Sequence, residues 1–459
     1  MAERRLSLAV NGRENLLDQK LITFQAMGQA AGAGRGNGHW VTAGSVAIVG
    51  LGYVGLPTAV ALHGEVRRVI GIDSSPQRLR DIAARRADLG GPDRERLAAA
   101  LADGSLELTT DPAAARAADA VLICVPTPVD SRQCPDLSAL RAACAAVVQQ
   151  ARAGQVIILT STSYVGTTRD LLTGPLRDRG LVAGSDVHVA FSPERIDPGN
   201  PDHVQRETPR VVGGASPACT TRAAELIGRL TDSVYLVSSS EAAEATKLYE
   251  NIFRAVSLAL ANEFADACGA LSLDPIEVTL AASTKPYGFL GAFPGPGVGG
   301  HCIPCDPHYL LWQLSAADRS APLIEQAMKS IALRPERVIQ RAAEVLAADG
   351  LQLAGARIIV IGASYKAGVR DLRESPALAI MAGLIREGAT VAYYDPLLPV
   401  IELPGGQVLA SETAPSGAGW DLAVAHTLHP RADYTWAYSC PRLLDGTYQF
   451  FGPPRRAVV

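Results

Sequence analysis

The sequence predicts an α/β protein built from two Rossmann-like doubly wound domains joined by a long central helix. Three observations carry that prediction. The run SVAIVG from Ser45 to Gly50 passes straight into LGYVGLPTAVALHG, which reads as strand, tight turn and helix. A second series of the same kind, ARIIVIGASYKAGVRDLRESPALAIMAGLIREGATVAYYDP, begins at Ala356. Between the two, Ser239 to Leu271 keeps apolar residues at helical spacing without a proline, long enough to join two domains.

The elements follow in order. Residues 1–43 lack periodicity and contain the glycine-rich run AGAGRGNGH, so they read as a flexible or loosely docked extension. The first domain is expected over 44–238. After its opening strand and helix come RRVIGID as a second strand, a helical stretch from about Ser75 to Ala102, and AVLICVPTP and VIILTSTS as further strands. Strands alternating with helices imply a parallel sheet covered on both faces. A central helical region is expected over 239–350, interrupted by the Gly/Pro-rich loop KPYGFLGAFPGPGVGGHCIPCDPHYL, and the second Rossmann-like domain over 351–459.

Composition narrows the function class. A chain of 459 residues with 48% hydrophobic and 19% charged residues has the profile of a globular protein of two or three domains. Its formal net charge of -4 supplies no basic field for a polyanion, so nucleic acid is not expected as a partner. Eight cysteines without regular spacing read as reduced thiols of a cytoplasmic protein. The N-terminus has no apolar run of signal-peptide length, and no stretch of about 18 apolar residues occurs, so neither membrane insertion nor export is expected.

The strongest local motif is Gly50-Leu51-Gly52-Tyr53-Val54-Gly55, set between a strand and a helix, with Asp73 ending the next strand. The first glycine permits the tight turn, the second lets backbone approach a pyrophosphate, and the third allows close helix packing. Asp73 is placed to accept from an adenosine ribose, which favours NAD because a 2′-phosphate would meet a carboxylate. The bland alternative is a purely structural turn.

In GVGGHCIPCDP, from Gly297 to Pro307, Cys302 lies four residues before Asp306. A nucleophilic thiol with a carboxylate on the same loop can form and resolve a covalent intermediate. Cys302 and Cys305 also make a C-x-x-C pair, whose rival readings are a redox dithiol, half of a zinc site or an ordinary buried pair. No second C-x-x-C exists to complete a four-cysteine site, and no metal is expected. Lys247 and Asn251, at i and i+4 on the long helix, share one face. A solvated helix face would explain that spacing equally; a lysine beside an alcohol under oxidation can stabilise alkoxide charge.

The glycine turn, AEATKLYEN and GGHCIPCDP together, in that order, resemble the UDP-glucose/GDP-mannose dehydrogenase family of nucleotide-sugar dehydrogenases. VPTPVD at 125–130, STSYVGTT at 161–168, FSPERIDPGN at 191–200, PRVVGG at 209–214 and YKAGVRDLRESPA at 365–377 extend the resemblance over about residues 45 to 450. It implies an NAD domain, a central helix carrying a homodimer interface, and a C-terminal domain that binds the sugar nucleotide. It further implies Cys302 as nucleophile, Lys247 and Asn251 at the C6 oxygen, Asp306 in proton transfer, and Glu194 and Thr127 at the catalytic water. Cofactor contacts are implied for Gly50, Gly52, Tyr53, Val54, Gly55, Asp73, Arg78, Pro126, Thr127 and Thr162. Substrate contacts are implied for Glu194, Arg195, Ile196, Lys247, Asn251, Tyr287, Phe289, Gly299, Lys366 and Arg373.

The implied reaction is four-electron oxidation of a C6 alcohol to a carboxylate through a thiohemiacetal and a thioester on Cys302. UDP- or dTDP-glucose is the leading substrate expectation. His301 and Cys305 stand where glucose-specific relatives often carry Ser and Lys, which makes a UDP-N-acetylhexosamine the alternative. The span from Ser283 to His301 has no arginine, although the family commonly supplies one there across the dimer, so Tyr287 or Lys285 is the expected replacement. AHTLHPRADY departs from the family's Thr-Asp-His pattern in a domain that does no redox chemistry. The reading of another class is a non-catalytic sugar-nucleotide-binding protein.

Overall fold

The computed structural model describes residues 21–23, 44–87, 89–130, 132–197, 205–452 and 456–459. It divides into two compact units, Met1–Tyr249 and Glu250–Val459. Apart from Leu21–Thr23, the expectation for residues 1–43 lies outside the described residues, as does the Pro198–Asn200 end of the FSPERIDPGN segment.

The first unit is organised on a nine-stranded sheet. In chain order its strands are β1 (Leu21–Thr23), β2 (Ser45–Val49), β3 (Arg68–Ile72), β4 (Leu106–Thr109), β5 (Ala120–Ile123), β6 (Val156–Leu159), β7 (His188–Phe191), β8 (Arg210–Gly214) and β9 (Ser233–Leu236). Their spatial order is β1-β9-β8-β7-β6-β5-β2-β3-β4. The central strands β2, β5 and β6 are short apolar runs, nearly all buried, as strands covered on both faces must be. β2 pairs with β3 on one side and β5 on the other, and this reversal of winding opens a crevice at the carboxyl ends of β2 and β5. The sheet is not wholly parallel: β7 pairs with β8, and β1 with β9, antiparallel.

Helices of this unit are α1 (Gly55–Ala61), α2 (Pro76–Ala83), α3 (Gly91–Ala102), α4 (Ser138–Gln150), α5 (Gly174–Asp178) and α6 (Pro217–Ile227). The single helical stretch expected from Ser75 to Ala102 is thus two helices. Arg85 takes a left-handed φ of 59° just past the first, and Gly90-Gly91-Pro92 restarts the chain at the second.

α7 (Ser240–Ala270) begins in the first unit and continues into the second, followed by α8 (Pro275–Ser283), α9 (Asp306–Ser315) and α10 (Pro322–Ala347). Ala255 and Ala259 of α7 pack with Ala327, Met328 and Ile331 of α10, and Val298 and Ile303 of the cysteine loop lie against this cluster.

The second sheet runs β11-β10-β14-β15-β16, all parallel, from β10 (Arg357–Ile361), β11 (Thr390–Tyr394), β14 (Leu422–Ala425), β15 (Leu443–Asp445) and β16 (Arg456–Val458). β12 (Val400–Glu402) and β13 (Val408–Ala410) form a separate ribbon, and α11 (Pro376–Arg386) follows the first turn. Ile358 and Val360 point to one core while Ile359 and Ile361 point to another, the period-two alternation of a strand buried on both faces. No helix among the described residues is long and apolar enough to cross a membrane.

Candidate active site

The glycine turn has the geometry its spacing predicts. Gly50 adopts φ 89° and donates its N–H to Ile72 O at 2.8 Å. A Cβ there would lie 2.8 Å from Cys124 O, and one on Gly55 would lie 1.8 Å from Gly50 O, so both positions exclude a side chain. A Cβ built on Gly52 meets no atom within 4 Å. The second glycine therefore borders open space, as a pyrophosphate resting on bare backbone requires, and the turn fits a dinucleotide. Tyr53 is exposed and Val54 half-buried beside it.

Asp73 ends β3 and ties the turn down: its Oδ2 accepts from Leu51 N at 2.8 Å and its Oδ1 from Ser75 N at 2.9 Å. Arg78, on the first turns of α2, donates through Nε to Leu51 O at 2.8 Å. Both residues hold the backbone of the cofactor turn. In the neighbouring crossover, Ser161 Oγ donates to Val125 O at 2.8 Å, linking the exits of β6 and β5. That link frames Pro126, which is exposed, Thr127, which is buried, and Thr162, which is half-buried.

Beyond β7 the chain turns through Glu194, Arg195 and Ile196. Glu194 is 7% exposed; its Oε1 accepts from Arg195 N at 2.8 Å, and its Oε2 accepts from Arg210 Nη1 at 2.7 Å. Arg195 donates to Pro209 O at 2.8 Å, and Ile196 is half-buried. Cys124, at the end of β5, is fully enclosed; burial first, and then the nearby Glu194 charge, push its thiol up to about 12, so it stays protonated.

Lys247 lies two turns into α7, 9% exposed, on a helix held by Glu244 three residues earlier. Glu244 accepts from Gly166 N at 2.6 Å and from Thr168 N and Oγ1 at 2.8 and 2.6 Å. Burial raises its pKa, opposed by those hydrogen bonds.

In the second unit, Asn251 Nδ2 donates to Asp306 Oδ2, and Asp306 is 1% exposed. Asp306 opens α9, and its N–H donates to Cys302 O at 2.8 Å, which places Cys302 one turn ahead of the helix. Cys302 is exposed whereas Cys305 is buried, so the two thiols of the C-x-x-C pair meet different surroundings. Asn251, Asp306 and Cys302 thus form one constellation, joined through the helix start. The loop is seated on the segment after β10. Gly300, at φ 86°, donates to Arg373 O at 2.9 Å, and Cβ atoms on Gly299 or Gly300 would strike Glu374 O or the Tyr365 ring within 2.7 Å. His301 is lowered in pKa by burial first and then by Arg373, opposed by Asp371, so a neutral imidazole flanks the thiol.

The remaining expected substrate residues also lie in the second unit. Lys366 is half-buried beyond Gly362. Arg373 binds Asp371 with two N–H groups, Nε to Oδ1 at 3.1 Å and Nη2 to Oδ2 at 2.7 Å. Tyr287 and Phe289 are 73% and 43% exposed, and the Lys285 ammonium sits 5.0 Å above the Tyr287 ring. The expected catalytic set divides by unit: Thr127, Glu194 and Lys247 in the first, Asn251, Cys302 and Asp306 in the second.

Two supporting residues, Arg210 and Glu244, carry no role in the sequence reading. The signal available for Arg210 was a charge opening the otherwise apolar strand RVVGG; for Glu244 it was a carboxylate one turn before Lys247. No group of three or more metal-ligating side chains occurs among the described residues.

Comparison with known proteins gives concordant results. Models of the UDP-glucose/GDP-mannose dehydrogenase family match three successive stretches: its NAD binding domain over residues 44–231, its central domain over 241–330 and its UDP binding domain over 359–447. An NDP-N-acetyl-D-galactosaminuronic acid dehydrogenase of Ralstonia nicotianae is 36% identical, over 82% of this chain and 88% of that protein. A UDP-N-acetyl-D-mannosamine dehydrogenase of Escherichia coli is 34% identical, over 73% of this chain and 81% of that protein. The structure of a UDP-D-ManNAc dehydrogenase from Pyrococcus horikoshii superposes with a TM-score of 0.82 at 30% identity, covering 90% of this chain and 98% of that one.

Proposed function

Since the chain belongs to the UDP-glucose/GDP-mannose dehydrogenase family of NAD-dependent oxidoreductases, we propose that it oxidises the C6 alcohol of a UDP-linked N-acetylhexosamine to the carboxylate. The constellation of exposed Cys302 one turn ahead of buried Asp306, itself bonded to Asn251, carries the catalytic part of this reading. The substrate part rests on the relatives' named substrates. The sequence alone favours UDP- or dTDP-glucose; the N-acetylhexosamine dehydrogenases above support the alternative, together with His301 and Cys305 in the cysteine loop.

The Gly50–Gly55 turn would hold NAD, which would supply the hydride acceptor for each of the two oxidations. Lys247 and Asn251 offset charge on the C6 oxygen as its proton leaves. The Cys302 thiol adds to the resulting aldehyde, so the half-oxidised sugar stays covalently held until the second oxidation gives a thioester. Water then displaces Cys302, with Glu194 and Thr127 as its partners and Asp306 assisting proton transfer.

Assembly as a homodimer is part of the proposal. Tyr249, Phe253, Leu260 and Phe264 are 70%, 45%, 64% and 44% exposed and fall on one stripe of α7. An apolar stripe of this kind fits a second copy of the helix. Sedimentation of the purified protein is expected to give a dimer; a monomer at micromolar concentration contradicts it.

The substrate proposal is tested by initial rates of NADH formation with UDP-N-acetylgalactosamine, UDP-N-acetylmannosamine, UDP-N-acetylglucosamine, UDP-glucose, dTDP-glucose and GDP-mannose. One N-acetylhexosamine is expected to exceed UDP-glucose in kcat/KM by about tenfold or more, the worth of roughly one well-made contact. A preference for UDP-glucose restores the glucose reading. NADH from none of these sugars favours the binding-protein reading.

A further inference from the structure

The least expected feature of the first unit is a buried arginine at the start of one of its inner strands. Arg210 opens β8 and is 1% exposed, among the largest fully buried side chains of the chain. A guanidinium taken this far from water needs a fixed partner, because an uncompensated charge in that setting is strongly unfavourable. Its partner is Glu194, at 2.7 Å from Nη1 to Oε2.

The fold dictates the pairing. β7 and β8 run antiparallel with Ala190 opposite Gly214 and Phe191 opposite Gly213. Carried three residues further, that register puts Glu194 directly across from Arg210. The antiparallel step between β7 and β8 therefore delivers a cation to the carboxyl end of β7. A parallel β8 could not do this by register, since its first residue would lie at the opposite end of the sheet.

Glu194 is gripped from two further directions, by Arg195 N on Oε1 and by Gln205 Nε2 at 3.4 Å on Oε2. The strongest of these contacts is the charge-assisted one from Arg210. Arg210 Nε and Nη2 have no hydrogen-bond partner among the described residues, so the pair with Glu194 is its principal anchor there. Cys124 and Thr160, at the adjoining ends of β5 and β6, belong to the same buried polar edge, which faces the carboxyl ends of the strands.

We propose that Arg210 is a positioning residue: it fixes the orientation of the Glu194 carboxylate and so sets the rate at which the acyl group leaves Cys302. This rests on the reading of Glu194 as the group that handles the catalytic water. In that step the water oxygen bonds to the acyl carbon while the carbon–sulfur bond to Cys302 breaks. Of the two water protons one ends on the departing thiolate and the acid keeps the other, so Glu194 leaves the step as it entered it.

The test compares Arg210→Met, Arg210→Lys and Glu194→Gln in the full-length enzyme with NAD and its best sugar nucleotide. Rapid mixing follows NADH, and intact-protein mass after acid quench follows the adduct on Cys302. Arg210→Met is expected to give a burst of two NADH per active site, a steady rate lowered about a hundredfold, and an accumulated acyl adduct, with KM for the sugar nucleotide falling in step so that kcat/KM stays within about threefold. Arg210→Lys, which keeps the charge but not the planar fork, is expected to recover part of the steady rate and shorten the adduct's lifetime.

A merely structural arginine predicts something different: lower activity without burst or adduct, in proportion to the fraction folded. That result, or an unchanged steady rate, overturns the proposal. If Arg210→Met does not fold, Arg210→Lys carries the test alone, with a burst and a persistent adduct expected and a wild-type trace contradicting it. Glu194→Gln separates the two layers. Adduct in Glu194→Gln but not in the Arg210 variants overturns only the role of Arg210, whereas no adduct in Glu194→Gln overturns the reading of Glu194 itself.

Discussion

Replacement of Cys302 by alanine is expected to lower sugar-acid formation at least about a thousandfold, leaving NAD and nucleotide-sugar affinity within about threefold. The size of the loss follows from what the sulfur does. Without it the aldehyde has no covalent tether, and neither the thiohemiacetal nor the thioester can form. The specificity of the loss follows from how the loop is built. The backbone around Cys302 is held by Gly300 N on Arg373 O, by Asp306 N on Cys302 O, and by Val298 and Ile303 packed on the α7/α10 cluster. None of these contacts uses the sulfur, and the side chain is exposed, so its removal leaves no core cavity. Steady-state product analysis by mass spectrometry, with calorimetric binding of both ligands, checks both halves. Acid production at the normal rate by Cys302→Ala rules out covalent catalysis.

Asp306→Asn is the second large effect, an expected loss of about a hundredfold to ten-thousandfold in turnover with little change in thermal stability. The two side chains have nearly the same shape, and the carbonyl oxygen of the introduced amide can still accept from Asn251 Nδ2. The position also begins α9 and gives its N–H to Cys302 O, a contact that survives the exchange. What disappears is the negative charge and the ability to take a proton at a residue that is 1% exposed. The contrasting variant is Asn251→Ala, which removes a donor from the buried carboxylate and is expected to destabilise by about 1–3 kcal/mol as well as slow the reaction. Turnover and melting temperature of both variants check this. If Asp306→Asn melts much earlier and loses activity only in proportion, the carboxylate is structural.

Legibility in the sequence depended on how local the determining physics was. The glycine turn could be read because its requirements are satisfied within a few residues: the φ of Gly50 and the close approach at Gly55 admit no side chain. The two α/β domains and the long helix were likewise visible, as apolar runs of strand length alternating with helical periodicity. The break between α2 and α3 was not taken from Gly90-Gly91-Pro92, since apolar spacing continues on both sides of it.

Non-local pairings were invisible for a different reason. Arg210 meets Glu194 only because β8 reverses direction beside β7, and strand direction is set by connections that periodicity does not report. The contact between Asn251 and Asp306 joins residues on two different helices. Spacing showed that Lys247 and Asn251 share a helix face, but not which carboxylate that face would meet. Arg373, expected at the substrate, pairs with Asp371 two residues away, a local contact that its spacing left open.

The most direct test of the central claim is the number of NADH molecules formed per sugar when a limiting amount of the best UDP-N-acetylhexosamine is driven to completion with excess NAD. Four-electron oxidation through Cys302 predicts two NADH per sugar and a product heavier than the starting alcohol by the exchange of two hydrogens for one oxygen. One NADH per sugar with release of an aldehyde contradicts it.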